Sequence, residues 1–125
     1  MRNRIGPLTI ICIIGSIIFW YAPTHAASPE NADPAWAPWF GSLRRPGTDQ
    51  SCCSLADCRR VRYRVSDGHF QAFIGGDFPR WTSPPHAWTN VPDANVLRRQ
   101  DNPTGEGVAC WVQGNVVCFV PASGT

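Results

Sequence analysis

Three cysteines within seven residues, in the stretch SCCSLADCRR from Ser51 to Arg60, constrain this chain more than any other feature. Two of them are adjacent. Cysteines this dense are read as a metal site, a redox centre or part of a disulfide framework, and the cellular compartment weighs heavily among these. The start of the chain speaks to that compartment. Arg2 and Arg4 make a basic start, Leu8 to Tyr21 is an apolar run, and APTHAAS supplies small residues for cleavage. This is the layout of a secretory signal peptide over residues 1–26, with removal expected after Ala26 or Ala27. The apolar run is shorter than the ~20 residues of a spanning helix, so no stable membrane span is expected after processing; a retained anchor is the alternative. A periplasmic or secreted location follows, where disulfides form and persist.

Cys12 lies in the apolar run and would leave with it, which reduces six cysteines to five: Cys52, Cys53, Cys58, Cys110 and Cys118. Five is odd. Two bridges leave one thiol free, or paired with another chain in a disulfide-linked dimer. Residues 27–36, rich in Pro, Ala and Asp, read as a loose N-terminal segment, and residues 37–121 as a single small domain. A domain this small buries only about 60–65% of its unfolded surface, so cross-links widen a thin stability margin. All eleven basic residues are arginine, and losing Arg2 and Arg4 leaves nine against nine acids. A neutral processed chain argues against nucleic-acid binding.

Along the domain, PWFGSLRRPG reads as a short helix, with Pro38 at its start, Trp39, Phe40 and Leu43 on one face, and Pro46-Gly47 as a stop. Arg44 and Arg45 fall at its last turn, where cations complement the helix dipole. Ser51 is expected to cap a second brief helix reaching to Asp57. RVRYRVSDGHFQAFIGG then alternates on both sides of Asp67-Gly68, a type I′ hairpin pair. This register sets Val65 against Phe70, Tyr63 against Ala72 and Val61 against Ile74 on an apolar face. Arg60, Arg62, Arg64, Ser66, His69, Gln71 and Phe73 point to the other face. Prolines punctuate Gly75 to Pro92, leaving room for at most a short strand near Arg80 to Thr82. Asp93 is expected to cap a short helix after Pro92. VACWVQGNVVCFVP closes the chain as a second hairpin. The fold class is therefore α+β: a small, mainly antiparallel β domain of two hairpins with one or two short helices, disulfide-stapled, with four or five strands in all.

The second hairpin bears on the cysteine pairing. A two-residue Gly114-Asn115 loop suits type II′ and sets Trp111 against Cys118 and Cys110 against Phe119, with the two cysteines on opposite faces. A three-residue loop from Gln113 to Asn115 instead sets Cys110 against Cys118 and permits a bridge between them. The first register is favoured, and it sends at least one of these cysteines to the Cys52/Cys53/Cys58 cluster. Closing a loop of ~60 residues constrains the unfolded chain by roughly 4 kcal/mol, against about 2.5 for nine residues, which tilts the same way. A Cys52–Cys53 bond is disfavoured, because neighbouring Cα atoms are closer than ordinary disulfide geometry allows.

No cofactor or metal is called for. The spacing lacks the paired C-x2-C of zinc ribbons, and C-x-x-C redox and haem motifs are absent; His69 or His86 would have to complete any cysteine site. A free thiol beside Arg59 and Arg60 is expected to have a lowered pKa. The nine acids show no obvious pair and no serine lies in a nucleophile-elbow context, so no catalytic residue is assigned. Arg60, Arg62 and Arg64 form a ladder that is either a solvated outer face or a surface for an anion or partner. Trp81 and Trp88 are the candidates for an exposed aromatic platform, with core packing as the alternative.

WFGSLRRPGTDQSCCSLADCR, followed by CWVQGNVVCFVP, resembles a group of small exported alphaproteobacterial proteins that share an S-C-C-x3-D-C-R segment and a terminal C…C-F-x-P. The resemblance spans most of the chain beyond the signal segment. It implies bacterial export and a shared cysteine framework, and carries over no catalytic residue. Arg60 stands where that pattern has proline, so the strand is expected to begin slightly earlier here. The functional expectation is an exported, non-catalytic domain binding a partner or envelope component. The alternative is a thiol- or metal-handling protein acting through the unpaired cysteine.

Overall fold

The structure, a computed structural model, describes residues 28–124; the signal-peptide reading lies outside them. Two short α-helices, α1 (Ala37–Ser42) and α2 (Cys52–Leu55), precede six strands: β1 (Asp57–Val61), β2 (Tyr63–Ser66), β3 (His69–Ile74), β4 (Ala87–Asn90), β5 (Gly107–Val112) and β6 (Asn115–Val120). Single 3-10 turns occur at Pro34–Trp36, Arg80–Thr82 and Asp93–Asn95. The strands make two antiparallel three-stranded sheets, ordered β1-β5-β6 and β2-β3-β4.

The first hairpin has the expected register, Tyr63 opposite Ala72 and Val65 opposite Phe70. Asp67 and Gly68 both take positive φ, 53° and 79°, as a type I′ turn demands. What the alternation concealed is a change of sheet. Val61 pairs with Gly107 of β5 rather than with Ile74, and the strand run breaks at Arg62, beyond which the chain joins β3. One extended segment thus serves both sheets, and four or five expected strands become six. The fourth is Ala87–Asn90, while the expected strand at Arg80–Thr82 is a 3-10 turn.

The second hairpin departs from the expected register. Gln113 and Gly114 are the turn, with φ of 47° and 81°, and Val112 faces Asn115 across it. A bulge then intervenes: Trp111 opposes Val116, but Cys110 opposes Cys118, so Val117 is the extra residue. The consequence is visible in the packing. Val117 and Cys118 both enter the core on the helix side, with Phe40, Leu43, Cys52, Val108 and Cys110. Val116 and Phe119 enter the other core, with Val61, Ala72, Ile74, Ala109 and Trp111. The β1-β5-β6 sheet is therefore the middle of three layers, helices on one face and the second sheet on the other. That explains why VACWV is apolar at every position: a strand covered on both faces cannot alternate.

Leu43 caps α1, and the Arg44 guanidinium, beyond the helix, donates 2.7 Å to the Gly41 carbonyl, one of the orphan acceptors of its last turn. Helix α2 stops at Leu55, and Ser51 makes no side-chain cap. Asp93 likewise caps nothing; its carboxylate holds His69 at 2.9 Å. At the N-terminal side, Asp33 caps the Pro34–Trp36 turn through the Ala35 N–H at 2.8 Å, and Asn31 clamps both backbone groups of Arg60 at 3.1 Å. Asn31 is thus fastened to β1, while Ala32 and Trp36 pack against the helix-side core.

Candidate functional site

Two disulfides join the cysteine cluster to the tail hairpin, Cys52–Cys118 and Cys58–Cys110, with Cα separations of 6.1 and 3.9 Å. Cys110 and Cys118 share a face and still do not bond, because each meets another partner: Cys58 stands beside Cys110 on the neighbouring strand β1 of the same sheet, and Cys52 projects from α2 in the helix layer. Cys53 is the free thiol among the described residues. Its Sγ lies 3.0 Å from Cys58 Sγ and 3.5 Å from the Phe40 carbonyl.

The expected reactivity of this thiol is overturned. Burial pushes the Cys53 pKa from 9.0 up to about 11, and the opposing pull of Arg59 is the smaller effect. Arg59 is itself engaged: Nε donates 2.8 Å to the Asp77 carbonyl, and one terminal nitrogen donates 2.8 Å to the Cys58 carbonyl. Alkylation of the native protein by iodoacetamide is accordingly expected to accelerate about tenfold per pH unit from roughly pH 7 to 10 without levelling off, tracking the thiolate fraction. A rate that levels off between about pH 9 and 10 would show a thiol of ordinary acidity. Cys53 borders an open groove of about 640 Å³ with Leu55, Asp57, Trp81, Val112 and Gly114. Trp81 is 79% exposed there.

Sulfur groupings close enough for a metal are Cys52/Cys110/Cys118 and Cys53/Cys58/Cys110, each within 4.8 Å. Four of those five sulfurs are committed to disulfides, and neither histidine proposed as a completing ligand joins them. His69 pairs with Asp93, whose hydrogen bond and charge raise its pKa.

The arginine ladder divides where the chain changes sheet. Arg60 remains with β1, its guanidinium donating to the Asn31 carbonyl and lying 3.6 Å from Glu106. Arg62 and Arg64 go with the second sheet, onto its outer face. Arg62 Cζ sits 4.9 Å from the Phe73 ring centroid and 5.9 Å from that of Trp88. Arg64 Cζ sits 4.3 Å from the Trp88 centroid. Phe73 and Trp88 are register partners on β3 and β4, edge to face at 5.6 Å. Gly75 makes room for this: a Cβ there would stand 2.6 Å from Phe73 Cε1. Arg64 Nε donates 2.8 Å to Gln71 Oε1, whose amide donates 2.7 Å to Asn90 Oδ1, so a polar rail crosses all three strands beside the aromatic pair.

Among the described residues neither Arg62 nor Arg64 forms an ion pair, in contrast to Arg59, Arg60 and Arg99. Both are exposed and held over rings, with donors left to face solvent. Trp81 and Trp88 are separate features, one on the groove and the other beneath the arginines. Phe73 was the missed member. Its sequence signal was an aromatic residue on an otherwise polar hairpin face.

No family model matches the chain, and no curated protein or solved structure does. Among the described residues no helix is long and apolar enough to cross a membrane.

Proposed function

We propose that this chain is an exported, periplasmic or secreted, non-catalytic domain that binds an anionic group of an envelope component or partner through the Arg62–Arg64 face. The observation that carries this reading is two exposed guanidiniums stacked on Trp88 and Phe73 with no carboxylate partner among the described residues. An arginine held over an aromatic ring keeps its planar fork of N–H groups available, which suits phosphate and carboxylate. The rings restrict the side chains in advance, so less rotamer freedom is lost on binding. Bridges and a small β-rich domain accord with export.

The alternative, thiol or metal handling through Cys53, is less well supported. Its thiol is held protonated by burial, and its sulfur neighbours are already bonded.

The test is co-sedimentation with phosphatidylcholine vesicles containing phosphatidylglycerol, alongside polyglutamate as a soluble carboxylate probe. Each basic residue near an anionic surface contributes about 1 kcal/mol, so the Arg62→Gln/Arg64→Gln protein is expected to bind about 30-fold more weakly. Binding should also fall with salt. Equal binding by both proteins, or binding of neither probe, would refute the reading.

A further inference from the structure

The Cys53 sulfur is half-buried against a disulfide, and no part of the binding face described above makes use of it. Helix α2 explains its position. Cys52 is tied to Cys118, and the next residue is thereby presented to β1, where Cys58 stands. Cys53 Sγ and Cys58 Sγ are 3.0 Å apart, and Cys53, Cys58 and Cys110 sulfurs all fall within 4.8 Å of one another. A thiol beside a disulfide sulfur is the reactant arrangement of thiol–disulfide exchange, which proceeds by attack of the thiolate on that sulfur.

We propose that Cys53 is the resident exchange partner of the Cys58–Cys110 disulfide, so that the chain interconverts between two bridge isomers. The step balances internally. Cys53 gives up its proton to solvent, and its thiolate forms a bond to Cys58 Sγ. The Cys58–Cys110 bond breaks with its electron pair leaving on Cys110, which takes up a proton. One disulfide and one thiol are present before and after, and no oxidant or reductant is consumed.

The two isomers differ in what they hold together. The Cys58–Cys110 bridge links β1 to β5 across a sequence separation of 52. A Cys53–Cys58 bridge links α2 only to the strand that follows it, five residues on. The free thiol also changes place, from a half-buried position on the groove to Cys110, which is fully buried in the central sheet. Burial withholds the thiolate at neutral pH, so exchange is slow there and speeds up as pH rises. The charged groups lining the small pocket at Cys53 are Arg59 and Asp57 of β1 and Glu30 from the N-terminal segment. Phe40 of α1 faces it with a neutral carbonyl.

The test follows the thiol. The full oxidised chain is held at about pH 7 and about pH 9, quenched in acid, digested with pepsin without reduction, and its linked peptides are sequenced by fragmentation to separate Cys52 from Cys53. The expected result is a Cys53–Cys58 link accompanied by free Cys110, appearing about tenfold faster per pH unit. Its rate should be independent of protein concentration, and Cys53→Ser should abolish it. A thiol that stays on Cys53 at every pH, or new products that are only linked dimers, would overturn the proposal. A second measurement uses Cys110→Ser refolded with glutathione disulfide as oxidant. A Cys53–Cys58 bridge is expected; recovery of both residues as thiols or glutathione adducts would overturn the proposal. Should this variant not fold, the mapping of the unmodified chain decides.

Discussion

Replacing Cys52 and Cys118 together by serine is expected to lower the free energy of unfolding by about 3 kcal/mol, because with Cys58–Cys110 still in place the outer bridge closes a ring of only about fifteen residues through it and a ring of that size restrains the unfolded chain by about that amount. The paired substitution matters, since a single one would leave a new thiol in the helix-side core. For a domain of this size each kcal/mol moves the melting temperature by ~4–8 °C, so a fall of at least about 12 °C should be seen. Urea unfolding under non-reducing conditions checks it. Stability within about 1 kcal/mol of the unmodified protein would contradict this bridge. Removing the inner bridge alone should cost about as much. With Cys52–Cys118 in place, Cys58–Cys110 closes only a ring of about fifteen residues, a restraint of about 3 kcal/mol.

Phe119→Ala should be the most damaging change outside the cysteines. Phe119 is fully buried, and its ring lies 5.4 Å from Tyr63 and 5.2 Å from Phe70, joining the first hairpin to the central sheet. Its carbonyl also accepts from the Leu97 N–H at 2.7 Å. Truncating a buried phenylalanine costs about 3–5 kcal/mol, part transfer and part cavity, and the urea midpoint should fall accordingly. Trp81→Ala is the control. At 79% exposure it should shift stability by no more than about 0.5 kcal/mol. Similar losses for both would mean that Phe119 does not occupy the interior as described.

Local chemistry made the first hairpin legible. Asp67-Gly68 supplies two positive-φ residues, and alternation on either side fixes which residues face each other. The change of sheet at Arg62 leaves no such mark, because Val61 would look the same whether it faced Ile74 or, as it does, Gly107. Likewise Gly114-Asn115 is a reasonable turn pair, yet Gln113 accepts the left-handed conformation instead and Val117 is inserted opposite the 110–111 step. The odd cysteine count and the spacing point the tail to the SCC cluster, and both tail cysteines bridge to it, but in a register set by the bulge at Val117 and not by a two-residue Gly114-Asn115 loop. Strand β4 was hidden by flanking prolines. The Arg62–Arg64 face was half legible: its arginines were conspicuous, but their division from Arg60 and their seating on Phe73 depend on which sheet each strand joins, and that is decided by distant residues.

The two disulfides are nested, Cys52–Cys118 outside and Cys58–Cys110 inside. Every peptide bond from residue 58 to residue 110 therefore lies within both covalent loops. A protease in the surrounding milieu that clipped an exposed turn in that interval, at Gly68 or Gly105 for instance, would generate two pieces still doubly tethered. Only reduction would release them, so a nicked molecule would keep its arginine-bearing sheet attached to the rest.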